Sequence, residues 1–116
     1  MSDVFVFGSN LAGRHGKGAA RDAVAMHGAI YGRGVGMQGN SYAIPTKDFN
    51  LRSLPLPAIA GYVQNFLAFA RMHQNMNFQV TAIGTGLAGY TANHIGPMFR
   101  NAPANCKLPP EFEVYR

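Results

Sequence analysis

The sequence predicts an α/β domain whose elements follow one another as βαβαβαβ around a mostly parallel sheet. Three observations predict it. A run of β-branched and aromatic residues starts at Val4, as expected of a strand buried on both faces of a parallel sheet, and a further apolar strand starts at Phe78. Each run enters a glycine-rich turn of the same form, GSNLAG at Gly8–Gly13 and GTGLAG at Gly84–Gly89, and a helix is expected beyond each turn. Between the two copies Ile59, Val63, Phe66 and Ala70 recur at helical spacing, one apolar face of an amphipathic helix.

In chain order, the first strand covers Val4 to Phe7 and Gly8 ends it. A short Ala-rich helix is expected from Lys17 to His27, with Gly28 as its stop. Residues 28–40 hold five glycines in thirteen positions, too many for a regular element, so the segment is expected to be a loop. It is either a plain connection or a wall beside a ligand. Ser41 to Thr46 is expected to be a second short strand ended by Pro45. Pro55 and Pro57 then set up a helix start, and Tyr62, Phe69 and Met72 widen the apolar face of a helix that reaches about Gln74. His73 sits near its end, where a cation suits the macrodipole. Phe78 to Ile83 makes a third strand, Thr91 to Arg100 a helix bent near Pro97, and Glu111 to Tyr115 a closing strand after Pro109 and Pro110.

Length and composition bound the function. The 116 residues, 1–116, make one domain, long enough to bury a core without staples. Cys106 is the single cysteine, which leaves no disulfide framework or thiolate metal cluster and fits a reducing compartment. No run is long and apolar enough to span a membrane and no secretory leader is visible, so a cytoplasmic protein without a membrane partner is expected. Charged residues make up only 13%, yet Lys plus Arg outnumber Asp plus Glu by 10 to 5. That excess favours an anionic partner. The basic residues stand singly rather than in runs, which argues for a small ligand over nucleic acid, and Arg14, Lys17 and Arg21 gather at the first glycine loop.

That loop has the makings of an anion site, because glycines let backbone N–H groups approach a ligand and a helix start aims further N–H groups at it. It fits neither GxGxxG nor GxxxxGK[ST]. The repeated G-[ST]-x-L-A-G is the stronger signal. In a parallel sheet both copies would lie on the carboxyl edge, where ligands bind at the switch in strand order, and two such loops could grip a diphosphate from both sides.

The string NLAGRHGKGAA (Asn10–Ala20) resembles the macrodomain loop in which an Asn is followed by a glycine cluster opening a helix. YAIPTK (Tyr42–Lys47), the amphipathic helix after it and VTAIGTGLAGY (Val80–Tyr90) resemble the branch of macrodomains that includes the terminal ADP-ribose protein glycohydrolase. The resemblance spans nearly the whole chain. It implies a three-layer α/β/α domain that binds ADP-ribose, a derivative of it, or an ADP-ribosylated macromolecule. By the same resemblance Asn10 contacts the distal ribose, and the first loop (Gly8, Ser9, Leu11, Gly13, Arg14, His15, Gly16, Lys17 and Gly18) faces the second (Ile83, Gly84, Thr85, Gly86, Leu87, Ala88, Gly89 and Tyr90) across the diphosphate. Thr46 and Lys47 stand beside them, and Lys47 matches the lysine that attacks the anomeric carbon in the glycohydrolase branch. The acid that the branch needs in the second loop is replaced by Ala88. No residue matches the acid with which many macrodomains read adenine; Asp3 or Asp22 would have to serve.

The residues taken alone leave the chemistry open. A desolvated lysine can be a nucleophile and an ordinary one a phosphate counter-charge, and Lys47 fits either. His15 could meet a phosphate or ribose, or merely be solvated; His27 and His94 have no partner visible in sequence. Tyr31 and Tyr90 each border a glycine-rich loop and could stack on a base or belong to the core. Glu111 and Glu113 belong to the last expected strand, so no paired-carboxylate site assembles. No His, Cys, Asp or Glu set has metal-ligand spacing, and no cofactor is expected. Three readings follow: a module that binds ADP-ribose-type nucleotides, an ADP-ribosyl hydrolase, and a nucleic-acid-binding domain, preferred in that order. Oligomeric state is left open.

Overall fold

The computed structural model describes residues 3–116. Five strands, β1 (Val4–Asn10), β2 (Gly36–Gln38), β3 (Ser41–Lys47), β4 (Phe78–Val80) and β5 (Cys106–Lys107), form one sheet in the order β2-β3-β1-β4-β5. The sheet is mixed: β1 pairs in parallel with β3 and β4, and β4 with β5, whereas β2 runs antiparallel to β3. The helices are α1 (Gly18–Met26), α2 (Leu56–Met72), α3 (Ala92–Ile95), continued by a 3₁₀ turn at Gly96–Phe99, and α4 (Pro110–Glu113).

Alternation along the strands sorts the core. Val4 and Val6 of β1 and Tyr42 and Ile44 of β3 pack with Ile59, Val63, Phe66, Leu67 and Ala70 of α2 and with Ile95, Phe99 and Phe112. Phe7 and Ala43, one residue out of step, pack with Ala20 and Ala23 of α1 and with Ala29. Successive strand side chains point to opposite faces, so α1 covers one face and α2 the other. The α1 face is built largely from alanines, which lets that helix lie close. At the carboxyl edge the chain therefore leaves β1 towards one face and β3 towards the opposite one, the arrangement that opens a crevice for a ligand.

Several expected boundaries move. β1 passes through Gly8 to Asn10, with a register shift between Ser9 and Asn10; a bulge there re-aims the strand end beside the crevice. Pro45 does not end β3, which runs on to Lys47. The β2 partner reaches only as far as Ala43, so the N–H that Pro45 lacks has no ladder to serve on that side. β4 stops at Val80 rather than Ile83, because Thr81 turns back, giving both its amide (3.0 Å) and its hydroxyl (2.8 Å) to the Val6 carbonyl.

The glycine-rich stretch 28–40 is not wholly a loop, since it contains β2. The helix expected over Thr91–Arg100 is one turn of α-helix that tightens to 3₁₀ at Gly96–Phe99, where Pro97 falls in the first turn. The closing strand expected at Glu111–Tyr115 is instead the short helix α4. Pro109 and Pro110 preset φ for a helix start, and Phe112 is rewarded by stacking on Phe99 at 5.3 Å. β5 carries no sequence pattern; it is fixed by Asn105, whose side-chain amide meets the carbonyls of Ala70, His73 and Met76 at the end of α2. Met72 is not on the apolar face but 81% exposed.

Candidate functional site

A cavity of about 520 Å³ opens at the carboxyl ends of β1, β3 and β4. Ligand pockets for drug-sized molecules are typically ~300–1,000 Å³, so it has room for a nucleotide. Both copies of the repeated motif line it. Gly8, Ser9 and Asn10 enter from the first, followed by Arg14, Gly16, Lys17 and Gly18; Gly84, Gly86, Leu87 and Ala88 enter from the second, preceded by Ile83. Thr46 and Lys47 at the end of β3 complete the part of the lining expected from sequence.

Arg14, Lys17 and Lys47 bring three cations to the cavity, and no Asp, Glu or His lines it. Among the described residues the ion pair is Glu113 with Arg116 at 3.4 Å, so no carboxylate neutralises the three. α1 adds to this field. Its N-cap is Lys17, in extended conformation, no side chain caps its free N–H groups, and its first turn has no acidic residue. Gly18, Ala19 and Ala20 of that turn line the cavity. An uncapped helix start beside three unpaired cations favours an anion.

Six expected residues do not reach the cavity, each for a visible reason. The backbone of Leu11 binds the Lys47 carbonyl at 3.0 Å, which fastens the first loop to β3. Gly13, with φ +69°, lies so close to Gly32 that any Cβ would strike the backbone, and its carbonyl accepts the Gly32 amide at 2.8 Å. His15 is buried, its Nε2–H donating to the Arg33 carbonyl at 2.8 Å and its ring edge-on to Phe7. Thr85 turns its hydroxyl to the Ala82 carbonyl at 2.7 Å. Gly89 gives its amide to Gly86 inside the loop turn. Tyr90 reaches away, its hydroxyl donating to the Leu54 carbonyl at 2.6 Å. These residues shape the loops instead of touching the space between them.

Asn10 does both. Its side-chain amide donates to the Arg14 carbonyl at 3.0 Å while its Oδ1 accepts the Arg14 amide at 2.9 Å, so the residue that lines the cavity also fixes the turn that delivers Arg14. The stretch 28–35 buttresses the first loop: Gly34 packs on the backbone of Asn10 and Leu11 with no space for a Cβ, and the Ser9 hydroxyl donates to the Gly34 carbonyl. Gln38 holds the far end, accepting the Ile30 amide at 2.8 Å and donating to the Arg33 carbonyl at 3.0 Å.

Other lining residues carried no sequence motif. Ala19 and Ala20 come with the helix start, Thr81 and Ala82 with the early end of β4, and Leu51 from the connection after β3. Of the two tyrosines that border a glycine-rich loop, Tyr31 lines the cavity and is 62% exposed, and Tyr90 does not line it. His94 is half of a capping box with Thr91 rather than a free imidazole. Asp48 accepts the amides of Asn50 and Arg52, both at 2.9 Å, and is committed to that turn.

Among the described residues no three His, Cys, Asp or Glu stand together as metal ligands, and no helix is long and apolar enough to cross a membrane. Comparison of the chain with protein-family models, with curated proteins and with solved structures finds no match.

Proposed function

We propose that this protein binds ADP-ribose or a nucleotide derived from it, holding the diphosphate between the loops Gly8–Gly18 and Gly84–Gly89, on a three-layer α/β/α domain of the macrodomain kind. The single observation that carries the reading is the cavity itself: both copies of G-[ST]-x-L-A-G line it, together with Arg14, Lys17, Lys47 and the uncapped start of α1. Three cations without a carboxylate match an extended anion such as a diphosphate better than a single carboxylate ligand. The volume suits a ligand with groups on either side of the phosphates.

Binding is preferred to hydrolysis because the lining offers no carboxylic acid or imidazole to protonate a leaving group. Ala88 occupies the place where the glycohydrolase branch has its acid, and Asp48 does not line the cavity, its Oδ1 holding the amides of Asn50 and Arg52. Lys47 is left as a counter-charge within reach of the ligand.

Titration calorimetry with ADP-ribose tests the reading, with Gly86→Glu as the control. Gly86 lines the cavity and has open space where a Cβ would stand. The glutamate is therefore accommodated by the fold and places negative charge against the diphosphate. Saturable binding by the wild type that is lost in Gly86→Glu supports the proposal; no binding by the wild type, or equal binding by both, removes it.

A further inference from the structure

Leu51 stands in the left-handed region of the backbone, with φ +63°. A leucine is disfavoured there because its Cβ crowds the following carbonyl, and glycine or asparagine is the ordinary occupant. The residue is nevertheless held firmly. The Asp48 carboxylate accepts the amides of Asn50 and Arg52, the Leu51 amide binds the Asp48 carbonyl at 3.1 Å, and the Asp48 amide binds the Arg52 carbonyl at 2.7 Å. This small turn gains no core contact from the leucine: the side chain is 40% exposed and lines the cavity.

The turn is stitched to the second glycine loop. Ser53 donates its hydroxyl to the Ala88 carbonyl at 2.6 Å, next to Leu87, which is 69% exposed and also lines the cavity. Two large apolar side chains thus stand open to solvent on hydrogen-bonded loops, at the mouth of a cavity whose charged lining is wholly cationic. An inorganic anion would use the cations and leave the leucines wet. A ligand that uses both carries phosphate together with an uncharged organic ring.

We propose that Leu51 is a ligand-contacting, specificity-determining residue, which with Leu87 forms an apolar lip that grips the organic group esterified to the diphosphate. This rests on the proposed nucleotide site. The strained backbone at Leu51 is then the device that aims the side chain into the cavity, consistent with the way unfavourable backbone conformations gather at binding sites.

The test sets affinity against stability. Leu51→Gly and Leu51→Asn suit the left-handed backbone, so neither is expected to lower the Tm, and both remove the apolar contact. Leu51→Met keeps it. With ADP-ribose as the titrant, the glycine and asparagine variants are expected to bind about tenfold or more weakly than the wild type, a loss of about 1.4 kcal/mol, while the methionine variant binds within about threefold of it. Wild-type affinity in Leu51→Gly and Leu51→Asn would overturn the inference, and so would a loss of affinity accompanied by a fall in Tm, which marks a merely structural residue. Failure of the wild type to bind ADP-ribose removes the proposed function and the lip with it, whereas wild-type binding with indifferent variants removes the lip alone.

Discussion

The imidazole Nε2 of His15 lies 2.8 Å from the carbonyl oxygen of Arg33, and the same oxygen accepts the side-chain amide of Gln38 at 3.0 Å. A carbonyl only accepts, so the proton is on Nε2, and Nδ1 is buried without a partner. His15 is therefore a strut between the first glycine loop and the stretch 28–35 behind it. Because the ring is buried against Phe7, His15→Ala removes packing and a hydrogen bond and is expected to cost roughly 2–4 kcal/mol of stability. Urea unfolding measures it; a loss well under 1 kcal/mol would mean that the strut carries no load.

Two glycines of the repeated motif, Gly13 at the end of the first copy and Gly86 inside the second, are expected to respond differently to substitution. Gly13 has φ +69° and backbone where a Cβ would go, while Gly86 has open space. Gly13→Ala should therefore destabilise by about 2 kcal/mol or more, as core clashes at a left-handed position do. Gly86→Ala should leave the Tm within ~3 °C, since surface changes are usually within about ±0.5 kcal/mol. Thermal unfolding of the pair checks both, and equal effects would contradict the placement of the loops.

This contrast shows how much was legible in the sequence. The repeat located both loops at strand ends, and the aliphatic spacing of α2 located the core, because both are local patterns with a fixed period. Which glycine lines the cavity and which packs on a neighbouring loop depends on chain folded back from residues 28–35, and no local pattern encodes that. The same holds for Leu51, which lines the cavity with a left-handed backbone from a segment that has no motif. The C-terminal end differs from the strand expected over Glu111–Tyr115 for a related reason: two prolines and the ring of Phe99 favour a helical turn that buries Phe112 and leaves Val114 exposed.

Cys106 offers a pH-dependent check on the core. Burial pushes its thiol up from 9.0 to about 11, against the opposing pull of Arg116 and Arg71. The unfolded chain releases this proton near its ordinary value and the folded chain keeps it to about 11, so the folded state binds more protons between those values. Stability is then unaffected below about pH 9 and declines as pH rises from 9 towards 11. Cys106→Ala should flatten that decline in denaturant titrations across the window, and thiol-reactive reagents should label the wild type at neutral pH only as it unfolds. Fast labelling of the native protein would show the thiol to be accessible.

Lys47 decides between binding and chemistry. It lines the cavity from the end of β3, beside Thr46, whose hydroxyl is turned to the Ser9 carbonyl at 3.3 Å. As a phosphate counter-charge its removal costs affinity alone: hydrogen bonds to charged groups are worth roughly 1.5–3 kcal/mol, so Lys47→Met should weaken ADP-ribose binding about tenfold or more with little change in Tm. As a nucleophile it would attack the anomeric carbon, forming a bond from Nζ to that carbon as the bond to the leaving group breaks, and an acid would be needed to resolve the adduct. With Ala88 at the expected place and His15 and Asp48 both engaged elsewhere, the expected outcome of long incubation with an ADP-ribosylated peptide is intact peptide by mass spectrometry, or at most an adduct on Lys47 that accumulates without turnover. Multiple turnovers in the wild type that vanish in Lys47→Met would replace the binding module with a hydrolase in which another residue has taken the acid's role, and His15→Ala and Asp48→Asn would be the first variants to test for it.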